Sequence, residues 1–250
     1  PLLLALIILT TALLLTGSRG AFLGTVAAVV TFVALTFQIL KPSLKGGLLL
    51  LVGVVGLGWG AIAMSGQATL SRFEQADTEL STEAGGRGAI WDLSFEMIED
   101  RPWIGHGYGS YEPMFLLYRD KRFSTFMVDK AHNTYIEHLV ELGIPATVAL
   151  YTAPLLLLLL CLRGIFIRRR DKIFPLVGVA ATVLVGVHAL VDFSLQIPAV
   201  AVTYAAILGL GCAQSMRSLR RRIVKPASRD AEPEGEDFPP PVKEPVLAAG

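Results

Sequence analysis

Leu142-Gly143-Ile144-Pro145-Ala146-Thr147-Val148-Ala149-Leu150-Tyr151-Thr152-Ala153-Pro154-Leu155-Leu156-Leu157-Leu158-Leu159-Leu160-Cys161-Leu162 runs 21 residues without an acidic or basic side chain. A helix needs about 20 mostly apolar residues to cross about 30 Å of hydrocarbon. This stretch therefore predicts a membrane-crossing helix, with an amphipathic lead-in from residue 133. Five further apolar stretches read the same way: 2–16, clipped at its start, 21–40, 46–64, 173–191 and 197–213. The expected fold class is all-α, a polytopic transmembrane helix bundle of about six spans with one partly helical loop outside the bilayer.

Composition agrees. Of 250 residues, 53% are hydrophobic and 17% charged, with a mean hydropathy of +0.57. Soluble domains carry about 25% charged residues, so disorder, collagen and a disulfide scaffold are excluded as descriptions of the whole chain. The net charge of +1 gives no field that points to nucleic acid. Cys161 and Cys212 sit in apolar runs with no zinc-type spacing, so no metal site is expected. The chain opens at Pro1 and is apolar from Leu2, without Met or a basic n-region. It does not read as a signal peptide, and the expectation is the C-terminal part of a longer protein.

Charge distribution gives an orientation. Lys41, Lys45, the Arg163–Lys172 cluster and the tail from Arg217 place 14 of the 22 basic residues on one side, which the positive-inside rule makes cytoplasmic. The opposite side then holds a hairpin around Arg19, the polar stretch 65–131 and the turn 192–196. The expected organisation is three helices over 1–64 with an external arginine hairpin, an external loop over 65–131, which the resemblance named below makes periplasmic, three helices over 132–216 and a disordered cytoplasmic tail over 217–250. Within the loop, Arg87 to Asp100 sets Ile90, Trp91, Leu93, Phe95, Met97 and Ile98 on an apolar stripe at helical spacing. Pro102 and the glycines 105, 107 and 109 end that helix.

Several outward-facing residues could carry chemistry. Arg19 lies in Gly17-Ser18-Arg19-Gly20, between the first two spans. One reading is a headgroup anchor; the other is a guanidinium aimed at a shared cavity, since Gly20 and Gly24 at G-x-x-x-G spacing let helices pack closely. Arg87 opens the loop helix, where its charge meets the positive helix end. Either it pairs with Glu83 or Asp92, or a phosphate relieves the mismatch through backbone N–H groups and a guanidinium fork. His132 precedes a helix expected to start at Thr134, whose spacing to Glu137 is that of a capping box. The helix end disfavours the imidazolium, which suits proton abstraction from a hydroxyl; a hydrogen-bonded structural histidine is the alternative. His188 and Asp192, at i and i+4 near the outer end of the fifth span, form either a functional or a structural pair.

Taken in order, Thr16-Gly17-Ser18-Arg19-Gly20-Ala21, Arg87-Gly88-Ala89-Ile90-Trp91, Asp100-Arg101-Pro102-Trp103-Ile104-Gly105-His106-Gly107, His132-Asn133-Thr134-Tyr135 and Glu141-Leu142-Gly143 resemble the O-antigen ligase family of bacterial envelope enzymes. The resemblance covers roughly residues 1–215. It implies a metal-independent, cofactor-free glycosyltransferase of the inner membrane, in lipopolysaccharide or polysaccharide biosynthesis, with its site facing the periplasm. Its implied partners are an undecaprenyl-pyrophosphate-linked glycan donor, a lipid A core or glycan acceptor, and membrane lipids. Carried over by residue, Arg19 and Arg87 match the arginines that hold the donor pyrophosphate and His132 the catalytic histidine. His188 and Asp192 match a late-span motif without an assigned role. Family members generally have more spans, so the resemblance also implies an incomplete donor groove in this chain and an inactive isolated product. Two rivals remain. A secondary transporter would use His188 and Asp192 as a proton relay, although no internal repeat is visible. A scaffold would not require the Arg, Arg, His trio.

Overall fold

The computed structural model describes residues 2–16, 18–40, 86–123, 127–168 and 170–216. The expected span at 46–64, the acidic stretch 67–83, Lys41, Lys45 and the tail 217–250 lie outside the described residues, as does the side chain of Arg19. Among the described residues there are seven α-helices and no strand: α1 (Leu2–Leu15), α2 (Arg19–Leu40), α3 (Arg87–Asp100), α4 (Tyr111–Tyr118), α5 (Thr134–Ile167), α6 (Ile173–His188) and α7 (Pro198–Ser215). Short 3-10 turns occupy Lys121–Phe123 and Ser194–Gln196.

Three of these helices, α2, α5 and α7, are long and apolar enough to cross a membrane. The chain is a helical membrane bundle. Helix α6 is apolar but has 16 residues, where the hydropathy run predicts a span over 173–191. It ends at His188 because Thr134 draws the following backbone away, its N–H donating to the Ala189 carbonyl at 2.9 Å and its hydroxyl to the Asp192 carbonyl at 2.9 Å.

Helix α6 is the centre of the bundle, packed against α2, α5 and α7. Small residues let the backbones approach, as bilayer packing favours. A Cβ added at Gly24 would meet the Leu184 carbonyl oxygen at 2.8 Å, and one at Gly20 would meet the Val191 side chain at 2.5 Å. The expected G-x-x-x-G contact is thus made between α2 and α6. On α7, a Cβ at Gly211 would meet the Cys161 sulfur at 3.0 Å. Cys161, Ile165, Leu176, Val179, Leu208 and Cys212 close this core.

A second core joins the segment 86–123 to the start of α5. Ala89, Ile90, Leu93 and Met97 of α3 pack with Tyr111, Phe115, Phe123, Ile136 and Val140. Phe95, expected on that stripe, is instead exposed. Ser94 donates to the Ile90 carbonyl, and its hydroxyl meets that of Tyr111 at 2.8 Å. Burial pushes the Tyr111 hydroxyl well above its ordinary pKa.

The union of the two parts is a backbone clasp. Helix α5 breaks at Gly143, whose φ of 74° and ψ of 171° are non-helical. Pro145 has no N–H to return to Glu141, and the break turns Ile144 away from Val140. The freed carbonyls are taken by the loop after α3: His106 N–H donates to Val140 O at 2.9 Å and Gly107 N–H to Glu141 O at 2.8 Å. In return Ile144 N–H donates to Pro102 O at 2.7 Å. The Val140 and Glu141 carbonyls and the Ile144 N–H released by the break are thus re-paired.

Candidate functional site at one end of the bundle

Ser18 caps α2. Its hydroxyl accepts from Ala21 N–H at 3.1 Å, so the helix opens at Arg19 itself. The expected hairpin over 17–20 is shorter by two residues, and Arg19 becomes the first residue of the helix. Gly20, next to it, faces His188 at the end of α6 and Val191 in the turn after it. The start of α2 is therefore seated against that turn.

Arg87 is likewise the first residue of its helix. Gly86 before it is extended, with φ of −77° and ψ of 149°, and offers no side-chain cap. One turn later on the same face, Trp91 Nε1–H donates to the Ala131 carbonyl at 2.9 Å, fixing this end of α3 beside His132. Arg87 is partly buried, and its charge acts on His188.

His132 adopts a left-handed backbone with φ of 49°, uncommon for a side-chain-bearing residue and frequent where a site stores strain. Its neighbours impose it. Ala131 is fully buried, with its N–H donated to Glu137 Oε2 at 3.1 Å, while Asn133 is already committed as a helix cap. The Asn133 side chain accepts from Tyr135 N–H at 3.0 Å and Ile136 N–H at 3.1 Å. The cap is therefore Asn133 and not Thr134. Glu137 does not complete a capping box; it holds Ala131 and Lys130, the latter at 3.0 Å. The helix does begin at Thr134, with His132 just outside its positive end.

The turn after α6 gathers these elements. The Asp192 carboxylate lies between two imidazoles, 3.9 Å from His132 Nδ1 and 3.8 Å from His188 Nε2. His188 Nδ1 meets the Ser194 hydroxyl at 2.8 Å, and the His132 ring rests near Phe193 with centroids 5.6 Å apart. Tyr135 donates to the Gly186 carbonyl at 3.0 Å, which with the Thr134 bonds seats α5 on α6. Among the described residues no three His, Cys, Asp or Glu side chains converge to hold a metal ion.

The N-termini of α2 and α5 thus meet at residues 188–194, and that of α3 is tied to Ala131 beside His132. Each carries the partial positive charge of its helix dipole, and α3 starts without a side-chain cap, so together they favour an anion. Arginines stand first in two of the three helices. His132, Asp192 and His188 add a proton-accepting and charge-stabilising group beside them. Sequence patterning points to each of these residues separately. It does not reveal Ser194, which sits six residues beyond His188 and past the helix end, nor that Asp192 faces His132 as well as His188.

The site residues fall in a segment with known relatives. A family model described as O-antigen ligase matches residues 4–151. The match takes in Arg19, Arg87, the clasp and His132, and stops short of His188 and Asp192. No curated protein and no solved structure matches the chain. The family's members are membrane enzymes of glycosyltransferase type, and with more than half its length matched in this way the chain belongs to the O-antigen ligase family.

Proposed function

We propose that this chain transfers a glycan from undecaprenyl pyrophosphate to an acceptor hydroxyl, that of the lipid A core, on the periplasmic face of the inner membrane. The observation that carries this reading is that three helix N-termini, two headed by arginine, border the group in which Asp192 lies between His132 and His188. A diphosphate is the group such an end attracts, because backbone dipoles and planar guanidinium forks both suit phosphate oxygens. The orientation is supported by Arg163, Arg168, Arg170 and Lys172, which lie at the far ends of α5 and α6 and belong inside by charge.

In this mechanism Arg19 and Arg87 meet the charge that grows on the pyrophosphate as its bond to the anomeric carbon breaks. That stabilisation increases toward the transition state and so lowers the barrier. His132 takes the proton of the incoming hydroxyl as its oxygen bonds to the anomeric carbon. Asp192 stabilises the imidazolium formed, and undecaprenyl pyrophosphate leaves. A single displacement of this kind inverts the anomeric centre, and it uses no metal. His188, held by Ser194, sets the position of Asp192.

The acceptor is tested by the glycans of a strain lacking the gene. Uncapped core with polymerised chains still on the carrier lipid supports ligation to lipid A core. Single repeat units in place of chains would identify a polymerase instead.

A further inference from the structure

The opposite end of α6 carries a second feature. A cavity of about 420 Å³ opens between the C-terminal half of α2 and the start of α6. Its walls are Phe32, Ile39, Ile173 and Leu176, and Arg170 and Lys172 stand among its lining. It lies about 24 Å from the turn at His188, the length of α6 at 1.5 Å per residue, and shares none of that site's residues.

The charges at this cavity are unequally committed. Asp171, also in its lining, has its carboxylate 4.0 Å from the Arg168 guanidinium. Arg168 is itself anchored, donating to the Met216 carbonyl at 2.9 Å. Neither Arg170 nor Lys172 pairs with an acidic side chain among the described residues. Asp171 takes a left-handed φ of 58°, the turn that delivers the chain into α6, and α6 begins without a side-chain cap. Two cations and uncapped N–H groups therefore border a pocket whose walls are hydrocarbon but for Thr36, whose hydroxyl is spent on the Phe32 carbonyl.

From this we propose that the cavity binds one anionic glycerophospholipid, with its phosphate at Arg170 and Lys172 and the upper part of an acyl chain along Phe32, Ile39 and Leu176. Charge complementarity selects an anion. The apolar wall, set between two helices of a membrane bundle, selects a lipid over a soluble phosphate, which would leave that surface wet. The volume falls within the range of about 300–1,000 Å³ for ligand pockets, enough for the headgroup region and the start of one chain, with the remainder in the bilayer. Such a lipid would tie α2 to α6 at one end while their other ends form the site described above. The proposal does not depend on the transferase reading.

The test is native mass spectrometry of the purified full-length protein titrated with phosphatidylglycerol or phosphatidylcholine. Wild type is expected to retain phosphatidylglycerol in preference to phosphatidylcholine. A basic residue near a membrane surface contributes about fivefold to anionic-lipid affinity, so Arg170→Gln with Lys172→Gln should weaken phosphatidylglycerol binding roughly thirtyfold. Phosphatidylcholine binding should not change. Leu176→Trp, which fills the pocket, should lower phosphatidylglycerol retention with both cations in place. Unchanged phosphatidylglycerol affinity in the double variant would overturn the proposal. So would glycerol phosphate, which has no chains, binding as tightly as the lipid, since that would make this a plain ion site.

Discussion

Replacing Gly105 with Ala tests the clasp that aligns α3 and the loop after it with α5. Gly105 has a φ of 62°, and a Cβ there would run into the Glu141 carbonyl and come within 2.6 Å of Gly143 N. Both obstacles are backbone, so neither can rotate away. A left-handed conformation costs a residue with a Cβ about 1–2 kcal/mol, and overpacking adds about 1–3 kcal/mol. The sum is about 2–5 kcal/mol. At roughly 2–4 °C per kcal/mol for a chain of this size, the thermal midpoint should fall by about 10 °C. Gly109 is the control, because its φ is 79° but a Cβ there meets nothing within 4 Å. Gly109→Ala should therefore carry the conformational cost alone, a fall of about 5 °C. The assay is thermal unfolding of the purified full-length protein followed by tryptophan fluorescence, with Trp103 beside the clasp as a reporter. Equal midpoints for the two variants would refute the account of α3 being held by close backbone approach at Gly143.

Gly24→Leu should separate α2 from α6, since even a Cβ would meet the Leu184 carbonyl oxygen at 2.8 Å; loss of a crosslink between cysteines placed on the two helices would register it. Glu141 accepts from Tyr111 N–H at 3.2 Å and from the Gly109 N–H, so Glu141→Ala orphans both donors and should cost about 1–3 kcal/mol, whereas Glu141→Gln keeps an acceptor and should cost less in the same unfolding assay. Asp192→Asn removes the charge facing His132; for a pair exposed to this degree the interaction is worth about 1 kcal/mol, so kcat for glycan transfer should fall about fivefold with KM nearly unchanged. A KM effect alone would contradict that role.

Much of the bundle is legible because hydrocarbon imposes a length rule on apolar runs, which is why α2, α5 and α7 lie where hydropathy puts them. The start of α3 at Arg87 is legible for a different reason: glycines precede it and an apolar stripe follows. The break at Gly143 is not, because one glycine and one proline inside an apolar run leave hydropathy unchanged. Its compensation lies about 40 residues upstream, in the 102–107 backbone, and main-chain hydrogen bonds leave no side-chain signature. Helix α6 looks longer in the sequence because Ala189, Leu190 and Val191 are apolar, yet the bonds from Thr134 end it. Asn133 and Thr134 are both good caps, and the Thr134–Glu137 spacing favours the wrong one because Glu137 serves Ala131 and Lys130. In the site, Arg19, Arg87, His132, His188 and Asp192 all stand out as ionisable groups at helix ends. That His132, Asp192 and His188 come together, with the starts of α2 and α3 beside them, depends on Trp91, Thr134 and Gly20, whose tertiary partners no local pattern announces.

The most direct test of the central claim is consumption of labelled undecaprenyl-pyrophosphate-linked glycan by the purified full-length protein, comparing wild type with Arg19→Lys, Arg87→Lys and His132→Ala. The account predicts glycan transfer by wild type and loss of at least a hundredfold in His132→Ala, the lower end of what general base catalysis contributes. Both lysine variants should be strongly impaired despite keeping their charge, because the planar fork is lost. Transfer at wild-type rates by His132→Ala, or by both lysine variants, would contradict it.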